Sequence, residues 1–132
     1  MPVYSITSHE PISKDKKKKL VDLVTTTHCS IMVAPEQFVH VLFMDGVPLF
    51  EDKYLYIHAN VRAGRSFSTI EQMKHTLISE SAKILDINLS MIHLNLIEIQ
   101  ARWVMEGGYV MPEPGEEEEW MAKVTKMLAE QN

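Results

Sequence analysis

One order of elements is written twice in this chain, and that repetition constrains the fold more than any single motif. Residues 2–8, PVYSITS, are rich in β-branched and aromatic side chains and stop at His9-Glu10-Pro11, the pattern of a strand. Ser13 then offers a helix cap, and Leu20, Leu23, Val24, Thr27 and Ile31 recur at helical spacing on a stripe that would face a sheet, while Lys14 to Lys19 begin in water. Pro35 lies beyond that helix, and residues 38–44, FVHVLFM, are apolar at alternate and intervening positions alike, as in a strand buried on both sides. The order then returns. Residues 54–61, YLYIHANV, read as a strand; a second helix opens on the capping box Ser68 to Glu71 with a stripe of Ile70, Met73, Leu77, Ile84 and Leu85; residues 91–99, MIHLNLIEI, close the unit. Two βαβ units, about 2–45 and 54–100, imply an internal duplication.

Right-handed crossovers put both helices on one face of a four-stranded sheet, each unit supplying a parallel pair, so the fold class is α/β in the α+β sense of two repeated units. The other face is left bare. Alternation sends Leu55, Ile57, Ala59 and Val61 towards the helices and leaves Tyr54, Tyr56, His58, Asn60, His93, Asn95 and Ile97 opposite. A half-apolar face of this kind is expected to be covered by further copies of the chain under cyclic symmetry. Residues 101–132 form a tail of different composition: GGYVMPEPG supplies turns and EEEEWMAKVTKMLAEQ a short amphipathic helix, together a hairpin and helix appended to a single domain spanning 1–132.

The net charge of −5 is unfavourable for binding phosphate backbones, and KDKKKK and EEEE read as solvated faces, so no nucleic-acid partner is expected. No apolar run approaches the ~20 residues of a membrane span, and MPVYSITSHEP has neither the basic start nor the apolar centre of a signal peptide. The single cysteine, Cys29, excludes an internal disulfide framework and fits a reducing compartment; a cytoplasmic location follows as the expectation. Six histidines without a His-x-x-x-His pair, and no Cys-x-x-Cys, give no reason to expect a metal, and no glycine-rich phosphate loop calls for a nucleotide cofactor.

Four features could carry chemistry. Pro2 follows the initiator methionine; if Met1 is removed, Pro2 becomes a secondary amine. In RAGRS, residues 62–66, two arginines three apart follow a strand end and can converge on one carboxylate, although a pair of surface cations has the same spacing. His28 lies on or beside the sheet-facing stripe of the first helix, as a packed histidine or as a pocket residue. Glu106 precedes Gly107-Gly108 in a loop, where an exposed carboxylate is the default.

The duplicated units, Pro2, RAGRS after the third strand and MEGGYVMPEPGEEEEW near the end together resemble the tautomerase superfamily, most closely its cis-3-chloroacrylic acid dehalogenase group. The resemblance implies a cofactor-free homotrimer acting on a small carboxylic acid. It assigns Pro2, His28 and Glu106 to catalysis, with Glu106 activating water, and Arg62 and Arg65 to the substrate carboxylate. Where the dehalogenases of this group have a tyrosine that orients water, this chain has Asn95, which is shorter and offers a carboxamide. An isomerase moving a proton between keto and enol forms of an unsaturated or 2-oxo acid is therefore the leading expectation. A hydratase or dehalogenase of 3-haloacrylate-like acids is the alternative, and a non-catalytic binding or signalling trimer is the alternative of another class. The physics of the amine favours none of these by itself. An α-amino group titrates near 7.7–8.0, burial and the two arginines would lower that value, and Glu106 would raise it.

Overall fold

The computed structural model describes residues 2–50 and 53–131. Strand β1 (Val3–Ser8) leads into helix α1 (Lys14–Met32) and returns as β2 (His40–Met44); β3 (Leu55–Arg62), α2 (Phe67–Leu85) and β4 (Ile92–Ile99) repeat the path. A two-stranded hairpin, β5 (Met105–Glu106) and β6 (Tyr109–Val110), and helix α3 (Glu117–Gln131) complete the chain. The main sheet has the order β2-β1-β3-β4, with β1 parallel to β2, β3 parallel to β4, and the two units joined by antiparallel pairing of β1 with β3. This is an α+β fold in which two crossovers share one mixed sheet.

The helices form where the pattern of the sequence requires. Ser13 caps α1 by accepting the Lys16 N–H at 3.2 Å, and Leu20, Val24, Thr27, His28 and Met32 form its buried face. Helix α2 starts two residues earlier than its capping-box signature suggests: Ser66 is the cap, its hydroxyl accepting the Thr69 N–H, while Ser68 sits in the first turn with its hydroxyl 3.1 Å from that of Ser66. The extended backbone of Ser66 aims its oxygen at the free N–H groups of that turn, so the earlier serine takes the role. Met73 and Leu77 are fully buried against Leu55, Ile57, Ala59 and Val61, all of them at 0% exposure on alternate positions of β3. Each such Leu or Ile contributes roughly 1.5–3 kcal/mol through removal of apolar surface from water.

Strand β2 departs from the sequence reading. Its run of apolar residues is not buried on both sides, because the strand lies at the sheet edge, where Val41 and Phe43 are half-buried and Leu42 and Met44 are exposed. The far face of the sheet is open as expected: Tyr56 and His93 stack at 4.4 Å, His58 stacks on Tyr56, and Asn95 donates to the Tyr56 hydroxyl at 3.1 Å. Among the described residues no helix is long and apolar enough to cross a membrane.

Candidate active site

Antiparallel pairing sets Val3 opposite Asn60, so the start of β1 lies beside the end of β3, and the residues at and just beyond those ends, Pro2 and Arg62 to Arg65, become neighbours. Pro2 is buried, and its carbonyl accepts the His40 N–H at 3.1 Å, which holds it to the edge strand. Helix α1 runs back over the sheet and brings its C-terminal half, with His28, over the same corner. Pro2, His28, Arg62 and Arg65 accordingly line one pocket of about 140 Å3. The remaining wall is mostly apolar and includes Val33, Pro35, Phe38, Met111, Trp120 and Met121.

The arginine loop is shaped by Gly64, at φ +99°, a conformation that L side chains rarely adopt. A Cβ there would also come within 3.1 Å of the Pro114 Cγ, so the loop and the PEPG segment are packed together through a missing side chain. Arg62 is held from the tail, its Nη1 donating to the Pro112 carbonyl at 3.3 Å and its Nη2 lying 2.8 Å from Glu117 Oε1. Arg65 differs. Its Nε is buried and has no hydrogen-bond partner among the described residues. Burial, together with the adjacent Arg62, pulls its pKa below the ordinary arginine value, with Glu117 opposing. A buried guanidinium donor without an acceptor is costly in a folded protein unless something binds there.

His28 is 2% exposed, and its Nδ1 lies 2.7 Å from the hydroxyl of Tyr4, which is itself fully buried. Desolvation, with a smaller contribution from Cys29, raises the Tyr4 pKa far above its usual value and keeps the phenol protonated. The phenol is the better acid and the imidazole nitrogen the better base, so we assign the hydroxyl as donor and Nδ1 as acceptor, which leaves the ring proton on Nε2. Tyr4 was not among the residues singled out from the sequence. The signal was present, because Pro2, Tyr4, Ile6 and Ser8 share the buried face of β1 at period two, and a buried tyrosine hydroxyl requires a partner.

Burial first, then Arg65, lower the His28 pKa from 6.5 to about 4. The folded chain holds this histidine neutral while the unfolded chain protonates it below about pH 6.5, so stability falls as the pH drops from 6.5 towards 4. At about 1.4 kcal/mol per unit the full loss is about 3 kcal/mol. Denaturant titrations at fixed protein concentration across this window should show the decline. His28→Gln, whose carbonyl can accept the Tyr4 hydroxyl, should flatten it; an equal slope in the variant would assign the pH dependence to other groups.

Two residues expected at the site stand apart from this pocket in the single chain. Glu106, on β5, lies with Oε1 3.4 Å from His40 Nε2 and is not among the pocket-lining residues. Asn95 is on the open sheet face with Tyr56. Glu117 and Trp120 are among the wall residues that the sequence left out of the site. Trp120 donates its indole N–H to the Val110 carbonyl at 2.6 Å and packs edge-on against Phe38, fixing the start of α3 over the pocket. The run of glutamates had a sufficient explanation as the N-terminal turn of a helix, which hid the one that turns inward. Among the described residues no group of three or more His, Cys, Asp or Glu side chains is placed to hold a metal ion.

No protein-family model matches the chain, and no curated protein does. Solved structures do match. N1, a member of the cis-3-chloroacrylic acid dehalogenase family, is 30% identical over 98% of this chain and 96% of its own, with a TM-score of 0.84. A fused 4-OT, solved as an asymmetric trimer, is 22% identical over 82% of this chain and 94% of its own, with a TM-score of 0.72. Pt0534, solved after inactivation by 2-oxo-3-pentynoate, is 18% identical over 83% of this chain and 94% of its own, with a TM-score of 0.73.

Proposed function

The chain belongs to the cis-3-chloroacrylic acid dehalogenase family of the tautomerase superfamily, and from that membership we propose that it is a proline-dependent tautomerase of a small unsaturated or 2-oxo carboxylic acid. The observation that carries this reading is the buried, unpartnered Nε of Arg65 beside Arg62, in an apolar pocket that also contains Pro2 and His28. A planar guanidinium fork matches a carboxylate, and desolvation by the apolar wall strengthens the pairing.

In the reaction, Arg65 and Arg62 hold the substrate carboxylate, and His28 offers its Nε2–H to the same end of the molecule. The amine of Pro2, free once Met1 is removed, takes the proton from the enol oxygen as C2=O forms. The C2=C3 electron pair then accepts that proton at C3, and the amine is regenerated neutral. Met1 lies outside the described residues. Neither metal nor cofactor enters the scheme, and cyclic trimers that cover the open sheet faces are the proposed assembly. Ultraviolet absorbance follows the loss of enol directly; a panel of enolic 2-oxo acids should include at least one that the protein ketonises well above the buffer rate. Failure with every acid, in protein shown to begin at Pro2, would remove the tautomerase reading.

Kinship with N1 favours a second reading, addition of water to a 3-haloacrylate with His28 and Glu106 activating the water and halide leaving. Asn95 decides between them in this account. The wild type should ketonise enols yet show little or no dehalogenation of cis-3-chloroacrylate, and Asn95→Tyr should raise dehalogenation by supplying a phenol to orient water. Because Asn95 lies on the open sheet face, the gain is expected in the assembled oligomer. Halide release measured for both proteins tests this; efficient release by the wild type would put the hydratase reading first.

A further inference from the structure

The pocket contains a carboxylate of its own. Glu117, the first residue of α3, lies with Oε1 2.8 Å from Arg62 Nη2, while its Oε2 accepts the Gly115 N–H at 2.8 Å. Hydrogen bonds from backbone N–H groups, its own foremost, and from Arg62 hold its carboxyl below the usual range, against an opposing effect of burial. With His28 neutral and the Pro2 amine in the neutral form that takes up the enol proton, two guanidinium groups and one carboxylate leave the described lining with a single positive charge in excess. The rest of the described lining, with Val33, Phe38, Met111 and Trp120, offers no further cationic side chain for a second anionic group.

We propose that Glu117 is a specificity-determining residue: by neutralising Arg62 it matches the pocket to a molecule with one carboxylate and an uncharged, apolar remainder, and discriminates against dicarboxylates. The proposal rests on the carboxylate-binding reading of Arg62 and Arg65 given above and adds the charge count of the ligand. One carboxylate docks on Arg65, whose Nε is unoccupied, and shares Arg62. A second, at the far end of a ligand this small, would be desolvated against apolar side chains with no cation left to compensate it, and would be repelled by Glu117. Backbone N–H bonds pin Glu117 in place, so it does not simply swing away. Its side chain is 51% exposed, and solvent therefore screens the repulsion to a moderate size rather than an absolute exclusion.

Binding of 2-oxopentanoate and 2-oxoglutarate, which share a five-carbon chain and differ by one terminal carboxylate, tests the proposal without depending on turnover. Titration calorimetry on the assembled wild type should give the tighter Kd for 2-oxopentanoate. In Glu117→Gln, nearly the same shape without the charge, the preference should shift towards 2-oxoglutarate by roughly five- to thirtyfold, the range of a partly screened charge–charge contact. Glu118→Gln, an equal change in net charge on the exposed neighbour of Glu117, should leave the preference where it is. An equal gain for both acids in Glu117→Gln would show that Glu117 merely competes for Arg62, and an unchanged ratio would show that it has no part in selection; either result overturns the proposal. Binding of neither acid to any of the three folded proteins would instead overturn the carboxylate site beneath it.

Discussion

Pro2→Ala is expected to lower kcat on an enolic acid by roughly 10²–10⁴, the usual effect of a positioned acid or base. The fold should be indifferent to the change. Pro2 precedes β1, and the bond that anchors it is made by its carbonyl to the His40 N–H, which alanine retains. What alanine changes is the nitrogen, from a secondary amine in a ring of fixed geometry to a primary amine free to rotate about its bond. A kcat loss with unchanged circular dichroism and sedimentation is the predicted combination. A variant that retains wild-type turnover would show that the proton passes through another group.

Arg65→Ala should weaken binding of a carboxylate substrate by about 1.5–3 kcal/mol, roughly ten- to 150-fold, the scale of a charge-assisted hydrogen bond. Its second signature is in stability. Arg65 carries a buried Nε without a partner, so removing the side chain relieves an unsatisfied donor, and the variant should be no less stable than the wild type. Loss of affinity without loss of stability separates a binding residue from a structural one. Arg65→Lys should recover only part of the affinity, because an ammonium group cannot reproduce the planar fork. Arg62 is a less clean probe, since it also ties Glu117 and Pro112 to the loop. If Arg65→Ala lowers stability and leaves the affinity for acids untouched, the anion site is wrongly placed.

The repeated order of elements was legible because it depends on local periodicity. Ser13 caps the helix it was expected to cap, Met73 and Leu77 face the sheet at helical spacing, and β3 alternates between buried and half-buried residues along its whole length. Strand order is not a local property, which is why the apolar β2 reads as buried on both sides when it is an edge. At that edge Leu42 and Met44 are exposed, while Tyr56 and His93 stack on the far face of the sheet. The site divides in the same way. Pro2, His28, Arg62 and Arg65 were legible as residue types in suggestive places, and antiparallel pairing of β1 with β3 is what unites them. Tyr4 and Glu117 were hidden by adequate simpler explanations, a strand tyrosine and a helix-starting glutamate, and only the contacts they make distinguish them from such residues.

The central claim, that the amine of Pro2 is the reactive group of an anion-binding pocket, is tested most directly by peptide mapping after exposure to 2-oxo-3-pentynoate. This small acid carries a carboxylate for the arginines and an electrophilic triple bond, and it is the compound that inactivates Pt0534. The nitrogen lone pair adds to the alkyne carbon remote from the ketone, forming an N–C bond, and the adjacent carbon takes up a proton. The one competing thiol, Cys29, is held in its protonated, weakly nucleophilic form by burial and by Glu36, which raise its pKa. Mass spectra of the mature protein should therefore show one adduct per chain, on the nitrogen of Pro2, appearing in step with the loss of activity. An adduct on Cys29 or elsewhere with Pro2 unmodified, while activity is lost, would contradict the account.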